Sequence, residues 1–310
     1  MAKGLVVKNT GSLFLVELEN GFVVETSLRG RFRLKGIRFR LKGIRSTNPV
    51  VVGDLVEVDG ESIVGIEPRK NYIIRRSSNL SKESHILAAN IDQVFLVITI
   101  KKPETPFEFI DRFLLTANAY HIPVVIVLNK VDILDEDEMA LAEAIKGLYQ
   151  TNLGYKVVFS STVTGEGVDE VKAMLEGKLS LFSGNSGVGK SSLLNMLEPS
   201  LALKVGDVSK QHKTGMHTTT YSEVFDIAGG KVIDSPGIKG FGIIDMEAAE
   251  ISKFFPDIAK FALECRFDDC KHINEPNCAV LEALQGQKIA LSRYNSYKSV
   301  LLDLDEKKYR

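Results

Sequence analysis

No stretch of this chain approaches the ~20 consecutive apolar residues of a membrane-spanning helix, so no span is expected. No basic-then-apolar leader opens it, so no signal peptide is expected and a cytoplasmic location is. Cysteine is scarce: the three residues cannot form a complete disulfide set, and all fall between Cys265 and Cys278. In an intracellular chain such clustering points to a metal and not to disulfides. A strong net charge is missing too, the formal value being −1. What is present is ordinary for a globular protein. The 310 residues suggest about two domains by length, and 44% hydrophobic residues are enough for ordinary cores.

The sharpest pattern is Gly184-Asn185-Ser186-Gly187-Val188-Gly189-Lys190-Ser191, which fills G-x-x-x-x-G-K-[ST]. Residues 179–183 read as a short apolar strand and 191–197 have helical periodicity, the strand–loop–helix setting that the motif requires. The glycines let backbone N–H groups approach phosphates, and the helix N-terminus adds its positive dipole end. Lys190 would reach the β- and γ-phosphates and the Ser191 hydroxyl would bind Mg²⁺. Ser192, next in the helix, joins the candidate set. The competing reading is a glycine-rich turn without a ligand.

A second pattern, Asn129-Lys130-Val131-Asp132, follows the apolar run 123–128, which reads as a buried parallel strand. The Asp132 carboxylate can accept hydrogen bonds from N1–H and the 2-amino group of guanine, which adenine cannot supply. Asn129 and Lys130 would brace the base and the phosphate loop. Ser160-Ser161, after an expected strand over 156–159, fits a loop backing the guanine. Taken alone, each is also readable as a polar loop after a strand; beside the phosphate loop that reading loses ground. An ordinary GTPase carries the base loop after the phosphate loop. Here the order is inverted, so convergence on one nucleotide requires a rewired connection within that architecture.

Asp234-Ser235-Pro236-Gly237 supplies a D-x-x-G element at the end of a short strand, 231–233. Asp234 would hold Mg²⁺ through water and the Gly237 N–H would sense the γ-phosphate. The polar stretch 209–220 contains His217-Thr218-Thr219-Thr220. Thr219 is the candidate that completes the Mg²⁺ shell, with Thr218 as its alternative. Ile238 stands where Ras-like enzymes place a water-orienting Gln, so intrinsic turnover should be slow. We assign His217, as a hypothesis, to orient the attacking water once a partner orders the segment; a structural or partner-contact role competes with it.

The spacing C-x4-C-x-H-x5-C of Cys265, Cys270, His272 and Cys278 provides three thiolates and one imidazole, a complete tetrahedral zinc shell without an open position. The metal would be structural. The polar segment 267–277 could not hold a core without such a clip. Unligated thiols are the plain alternative.

Residues 5–7, 12–18, 22–27, 50–58 and 62–67 read as five short strands, the count of an OB-type barrel. Between the third and fourth lies a tandem repeat, residues 31–37 and 38–44, of the heptapeptide Arg-Phe-Arg-Leu-Lys-Gly-Ile. Seven is odd, so a continued strand would swap the faces of the second copy; one copy is expected to bulge. Residues 28–48 carry eight basic groups and no acidic ones, leaving −9 for the rest. A basic, Phe-punctuated segment on such a barrel suggests contact with RNA phosphates and stacked bases; a solvated charged hairpin is the alternative.

In this order of motifs the chain resembles the circularly permuted GTPases, and specifically the ribosome small-subunit-dependent GTPase family, RsgA or YjeQ. The resemblance rests also on Arg45-Ser46-Thr47-Asn48-Pro49-Val50-Val51-Val52-Gly53-Asp54 in the barrel, Asn90-Ile91-Asp92-Gln93 at the entry to the GTPase domain, Gly215-Met216-His217-Thr218-Thr219-Thr220, and the zinc knuckle. It departs from the family at Met216, commonly Arg, and in the second heptapeptide. The resemblance implies a multidomain α/β protein. Its parts would be an OB-type barrel (1–75), a circularly permuted P-loop GTPase domain (76–244) and a helical zinc-knuckle domain (245–310). It further implies a monomeric cytoplasmic enzyme that hydrolyses GTP to GDP with Mg²⁺, carries one structural Zn²⁺, and binds the 30S subunit and its 16S rRNA in late maturation, stimulated by the subunit. Two alternatives stay open: a nucleotide-gated RNA-docking checkpoint whose hydrolysis only times release, and a permuted GTPase acting on the large subunit. Helices are expected over 107–119, 135–150, 168–176 and 292–304, with a polar connector over about 76–90.

Overall fold

The computed structural model describes residues 1–11, 13–28, 50–76, 84–201, 223–234, 246 and 248–308. Strands β1 (Ala2–Asn9), β2 (Leu13–Leu18), β3 (Val23–Leu28), β4 (Leu55–Asp59) and β5 (Ser62–Ile66) pair in the order β1-β2-β3-β5-β4, and β4 pairs back onto β1. The result is a closed five-stranded, OB-like barrel. Alternation in β2 and β4 sends Phe14, Val16, Val56 and Val58 inward to meet Val6, Val50 and Ile63. Each such side chain contributes roughly 1.5–3 kcal/mol by leaving water. The heptapeptide repeat and most of the basic segment lie outside the described residues.

The sequence pattern predicts one strand over 50–58, but β4 starts only at Leu55. Val50, Val51 and Val52 are all buried, each in a different core, because the backbone turns there from the barrel toward the central sheet. Period-two reasoning cannot describe three consecutive inward residues. The expected connector over 76–90 is also partly a strand. Ser84–Ala89 (β7) pairs antiparallel with Tyr72–Arg76 (β6), and Ile86, Ala88 and Ala89 are buried.

The central sheet consists of β8 (Gln93–Ile98), β9 (Val124–Asn129), β10 (Lys156–Ser160), β11 (Leu179–Ser183), β12 (Glu223–Ile227) and β13 (Gly230–Asp234). Its order is β10-β9-β8-β11-β13-β12, parallel except for β12 at one end. All residues of β8 and β9 are buried, as a sheet covered on both faces demands. Val94, Leu96 and Ile98 face the core shared with α1 (Phe107–Ala119) and α2 (Glu136–Lys146). Phe95 and Val97 face the core shared with α3 (Val168–Leu175) and α4 (Lys190–Leu197). The chain winds outward through β8, β9 and β10, then returns through α3 to β11 beside β8. That reversal creates a switch point at the carboxyl ends of β8 and β11, where open α/β sheets bind ligands.

Helix α2 begins with a capping box between Asp135 and Glu138 and stops at Lys146, earlier than the pattern predicts. A π turn, Gly147–Asn152, follows and carries Tyr149 into the core. The barrel joins the sheet where β1 pairs β12, with ion pairs Lys8–Glu223 at 2.8 Å and Lys231–Glu17 at 2.5 Å. Among the described residues no helix is long and apolar enough to cross a membrane.

The last part is helical: α5 (Ala248–Ile251), α6 (Pro256–Ala262), α7 (Ala279–Gln285) and α8 (Leu291–Lys308). It is seated on α1 by a buried charge cluster. Arg293 reaches Asp111 of α1 at 2.6 Å and Asp257 at 2.8 Å, and the Tyr149 hydroxyl donates to Asp111 at 2.7 Å. Burial pushes Arg293 down, but hydrogen bonds and charge from Asp257 and Asp111 outweigh it and hold the guanidinium above its ordinary value. Because desolvation offsets much of the attraction between buried charges, the cluster adds little net stability while complete, and losing one partner is costly.

Candidate nucleotide site and metal centre

Because β8, β9, β10 and β11 are parallel, the segments leaving their carboxyl ends emerge on one edge. Asn129 and Ser160 are register partners at the ends of β9 and β10. Asn129 is 1% exposed. Its amide donates to the Val188 carbonyl at 2.9 Å and accepts from the Ser160 hydroxyl at 3.3 Å, tying base loop, backing loop and phosphate loop together. Lys130 adopts φ 65° and donates to the Gly187 carbonyl at 2.7 Å and to the Lys102 carbonyl. Burial lowers its affinity for a proton, opposed by the charge of Asp132.

Val131 is buried under the turn Val131–Ile133 and sets the exposed Asp132 at the edge. One Asp132 oxygen accepts from the Ser161 hydroxyl at 2.6 Å, and Ser161 in turn accepts from the N–H groups of Val163 and Thr164 at 3.1 Å. Ser161 therefore orients the carboxylate that the sequence assigns to guanine.

The phosphate loop leaves β11 as the motif requires. Ser186 and Gly187 are exposed, Gly184, Asn185 and Gly189 are half-buried, and Val188 is anchored in the core below. Gly189 has φ 98°, and a Cβ there would press into the Asn129 amide, so glycine is what lets the two loops touch. The Lys190 ammonium lies against the Gly184 and Asn185 carbonyls at 2.7 and 2.6 Å, inside the loop's curve. Ser191 is buried and Ser192 half-buried at the start of α4. Asp234 ends β13, next to β11. Its neighbours Ser235 to Gly237, and likewise His217, Thr218, Thr219 and Ile238, lie outside the described residues.

Sequence reasoning missed the loop 99–105, whose Lys102 carbonyl holds Lys130; backbone carbonyls leave no residue signature. A groove of about 490 Å³ lies at the opposite end of the sheet, lined by Leu5, Lys178, Asp226 and Lys231, and is distinct from this edge.

In the helical part, the side-chain donors of Cys265, Cys270, His272 and Cys278 lie within 4.8 Å of one another. Tetrahedral zinc, with Zn–S of ~2.3 Å and Zn–N of ~2.0 Å, has S···S edges of ~3.8 Å and S···N edges of ~3.5 Å. The Cys265–Cys278 separation is 3.8 Å, and His272 Nδ1 is 3.5 and 3.4 Å from Cys265 and Cys278. The cluster fits one metal. Burial pushes the Cys270 thiol up to about 12, raises Cys278, and lowers His272. Such a site disfavours bare thiolates and suits a cation that compensates them. Tyr294 and Tyr297 of α8 donate to the carbonyls of His272 and Lys271 at 2.9 and 3.0 Å, packing the knuckle onto that helix.

The model for the RsgA GTPase family matches residues 66–244. The chain is 53% identical to the small ribosomal subunit biogenesis GTPase RsgA of Bacteroides fragilis strain YCH46, over 99% of each. This chain belongs to the RsgA GTPase family. The RsgA of Flavobacterium johnsoniae is 48% identical, over 99% of this chain and 94% of that protein. Among solved structures, YjeQ from Thermotoga maritima superposes with a TM-score of 0.79 at 34% identity, covering 98% of each chain. YloQ, a circularly permuted GTPase, gives 0.76 at 27% identity over 100% of this chain and 97% of that one. The inverted motif order is thus the family's circular permutation. As an RsgA GTPase the chain is a GTP hydrolase, and the edge described above is its candidate nucleotide site.

Proposed function

We propose that this GTPase binds the 30S ribosomal subunit and its 16S rRNA during late subunit maturation and hydrolyses GTP in response to it. The observation that carries the nucleotide reading is the convergence of Asn129 and Lys130 on the carbonyls of Val188 and Gly187. The small-subunit assignment is supported by the relatives' names, small ribosomal subunit biogenesis GTPase RsgA.

In this reading Asp132 recognises guanine, backed by Ser160 and Ser161. Asn129, Lys130 and Val131 shape the base loop. The N–H groups from Gly184 to Ser192 wrap the phosphates, and Lys190 neutralises charge developing on the β–γ bridge. Ser191, Thr219 and Asp234 would hold Mg²⁺, which would supply positive charge against the phosphates. The Gly237 N–H would report the γ-phosphate and His217 would orient water. With Ile238 unable to polarise water, turnover without a partner is slow.

The Cys₃His cluster is a structural Zn²⁺ site: soft thiolates select zinc, and four protein donors leave no position for substrate. The basic residues 28–48 supply phosphate contacts to rRNA, so binding weakens steeply with salt. We divide the chain into a barrel (1–75), a GTPase domain (76–244) and a zinc domain (245–310), working as a monomer in the cytoplasm. The β6–β7 pairing argues for moving the first boundary ahead of Tyr72.

The test is GTP turnover by the purified protein alone and with 30S, 50S and 70S particles. Stimulation by 30S above the other two is expected; equal or greater stimulation by 50S would overturn the small-subunit assignment. Subunit affinity compared between GDP and a non-hydrolysable GTP analogue then distinguishes a release timer from an enzyme whose turnover does more.

A further inference from the structure

Loop 99–105, between β8 and α1, has no part in the roles assigned so far, yet it touches both nucleotide loops. Its Lys102 carbonyl accepts from the Lys130 ammonium that also holds Gly187, and a Cβ on Gly187 would stand 3.4 Å from the Pro103 ring. The loop is closed on itself: the Thr99 N–H donates to the Thr105 hydroxyl at 3.1 Å, and the Thr105 N–H to the Thr99 carbonyl at 2.9 Å. From outside it is fastened by one ion pair, Lys101 with Glu138, both half-buried. Glu138 is no ordinary surface acid. Its carboxylate also accepts the Asp135 N–H at 2.9 Å in the capping box that starts α2, right after the base loop.

Lys130 has three N–H donors. Two are occupied by carbonyls on different loops, which fixes a flexible side chain and leaves the third for a ligand. An ammonium already held this way loses little freedom on binding. We propose that Lys101 and Glu138 form a positioning brace which, through the Lys102 carbonyl, holds Lys130 in place and so sets how long guanine nucleotide stays bound. The inference rests on the nucleotide site proposed above.

The experiment measures dissociation of fluorescent GDP and of a fluorescent non-hydrolysable GTP analogue from the full chain, together with KM and kcat for GTP. Lys101→Met and Glu138→Gln should each speed release of both nucleotides by ~5–30-fold, with the loss falling on KM and not on kcat. Gln keeps the oxygen that caps the helix, the same one that faces Lys101, so helix fraying does not enter and only the charge of the brace is lost. The double variant should be no worse than either single, and Lys101→Arg should restore slow release. Lys102 sits at φ 54°, so Lys102→Val should displace the carbonyl and speed release, while Lys102→Gly should not. This last pair carries the test if the ion-pair variants fail to fold.

Release within twofold of wild type in Lys101→Met and Lys102→Val would overturn the brace. So would additive effects of the two ion-pair substitutions. An Asp132→Asn protein run alongside separates the two levels: unchanged base preference there removes the nucleotide-site reading itself, whereas a switched preference with unaltered Lys101→Met release removes only the brace.

Discussion

Gly189→Ala should cripple nucleotide binding out of proportion to the single methyl it adds. The residue holds φ 98°, and the new Cβ would lie deep inside contact distance of the buried Asn129 amide. An alanine kept at that angle costs ~1–3 kcal/mol. Displacing Asn129 breaks its 2.9 Å bond to the Val188 carbonyl and leaves a buried amide unsatisfied, another ~1–3 kcal/mol. The free protein relieves both by shifting the loop. Nucleotide requires the native loop, so the cost appears in affinity. A total of ~2–6 kcal/mol, at ~1.4 kcal/mol per tenfold, is a loss of at least ~30-fold. Gly187→Ala is the internal control: φ is 84°, but its Cβ would meet only the Pro103 ring at 3.4 Å, so its loss should be clearly smaller. Equilibrium titration with fluorescent GDP reads both variants, and circular dichroism checks the fold. A folded Gly189→Ala protein binding GDP within threefold of wild type would show that the Gly189–Asn129 approach does not limit binding, as would the reverse ranking of the two glycines.

Arg293→Met strands Asp111 and Asp257 without their cation, which should destabilise the contact between α1 and α8 by ~3–5 kcal/mol, read as faster hydrogen exchange in both helices. Adding Asp111→Leu should recover part of that loss, since it removes the more deeply buried of the two stranded charges while Asp257 stays unpaired and Tyr149 loses its acceptor. No recovery would argue against charge burial as the cause. Metal analysis should find one zinc per chain, and dialysis against a strong chelator should expose Cys265, Cys270 and Cys278 to thiol reagents while GDP binding persists. Chelation without change in thiol reactivity would argue against a metal clip. A His217→Ala protein should lose subunit-stimulated turnover while still binding the subunit; full stimulated turnover would end its assigned role.

The motifs that were legible from the chain are those in which chemistry dictates residue type. Only glycine allows the approach at Gly189, the proposed contact to two guanine donors calls for a carboxylate such as Asp132, and thiolates with imidazole at close spacing point to a metal. Helix α1 was legible to the residue because its apolar face repeats over 107–119 without interruption. The misses have physical causes. Val50 to Val52 turn between three cores, which no fixed period describes. Strand β7 follows the polar run Ser77-Ser78-Asn79 and Ser81, so it reads as part of a connector. Arg293 and Asp111 are 182 residues apart, and either charge alone reads as a surface residue. The brace at Lys102 works through a carbonyl, a group that every residue owns.

In the proposed site, two motifs in inverted chain order read one guanine base. The most direct measurement is the nucleotide preference of Asp132→Asn in the full chain. An amide at this position can no longer accept both guanine donors but can donate to the 2-oxo group of xanthine. GTP affinity should fall by about two orders of magnitude or more, while XTP affinity should rise above that of wild type. An Asp132→Asn protein that still prefers GTP to XTP would remove Asp132 as the guanine reader.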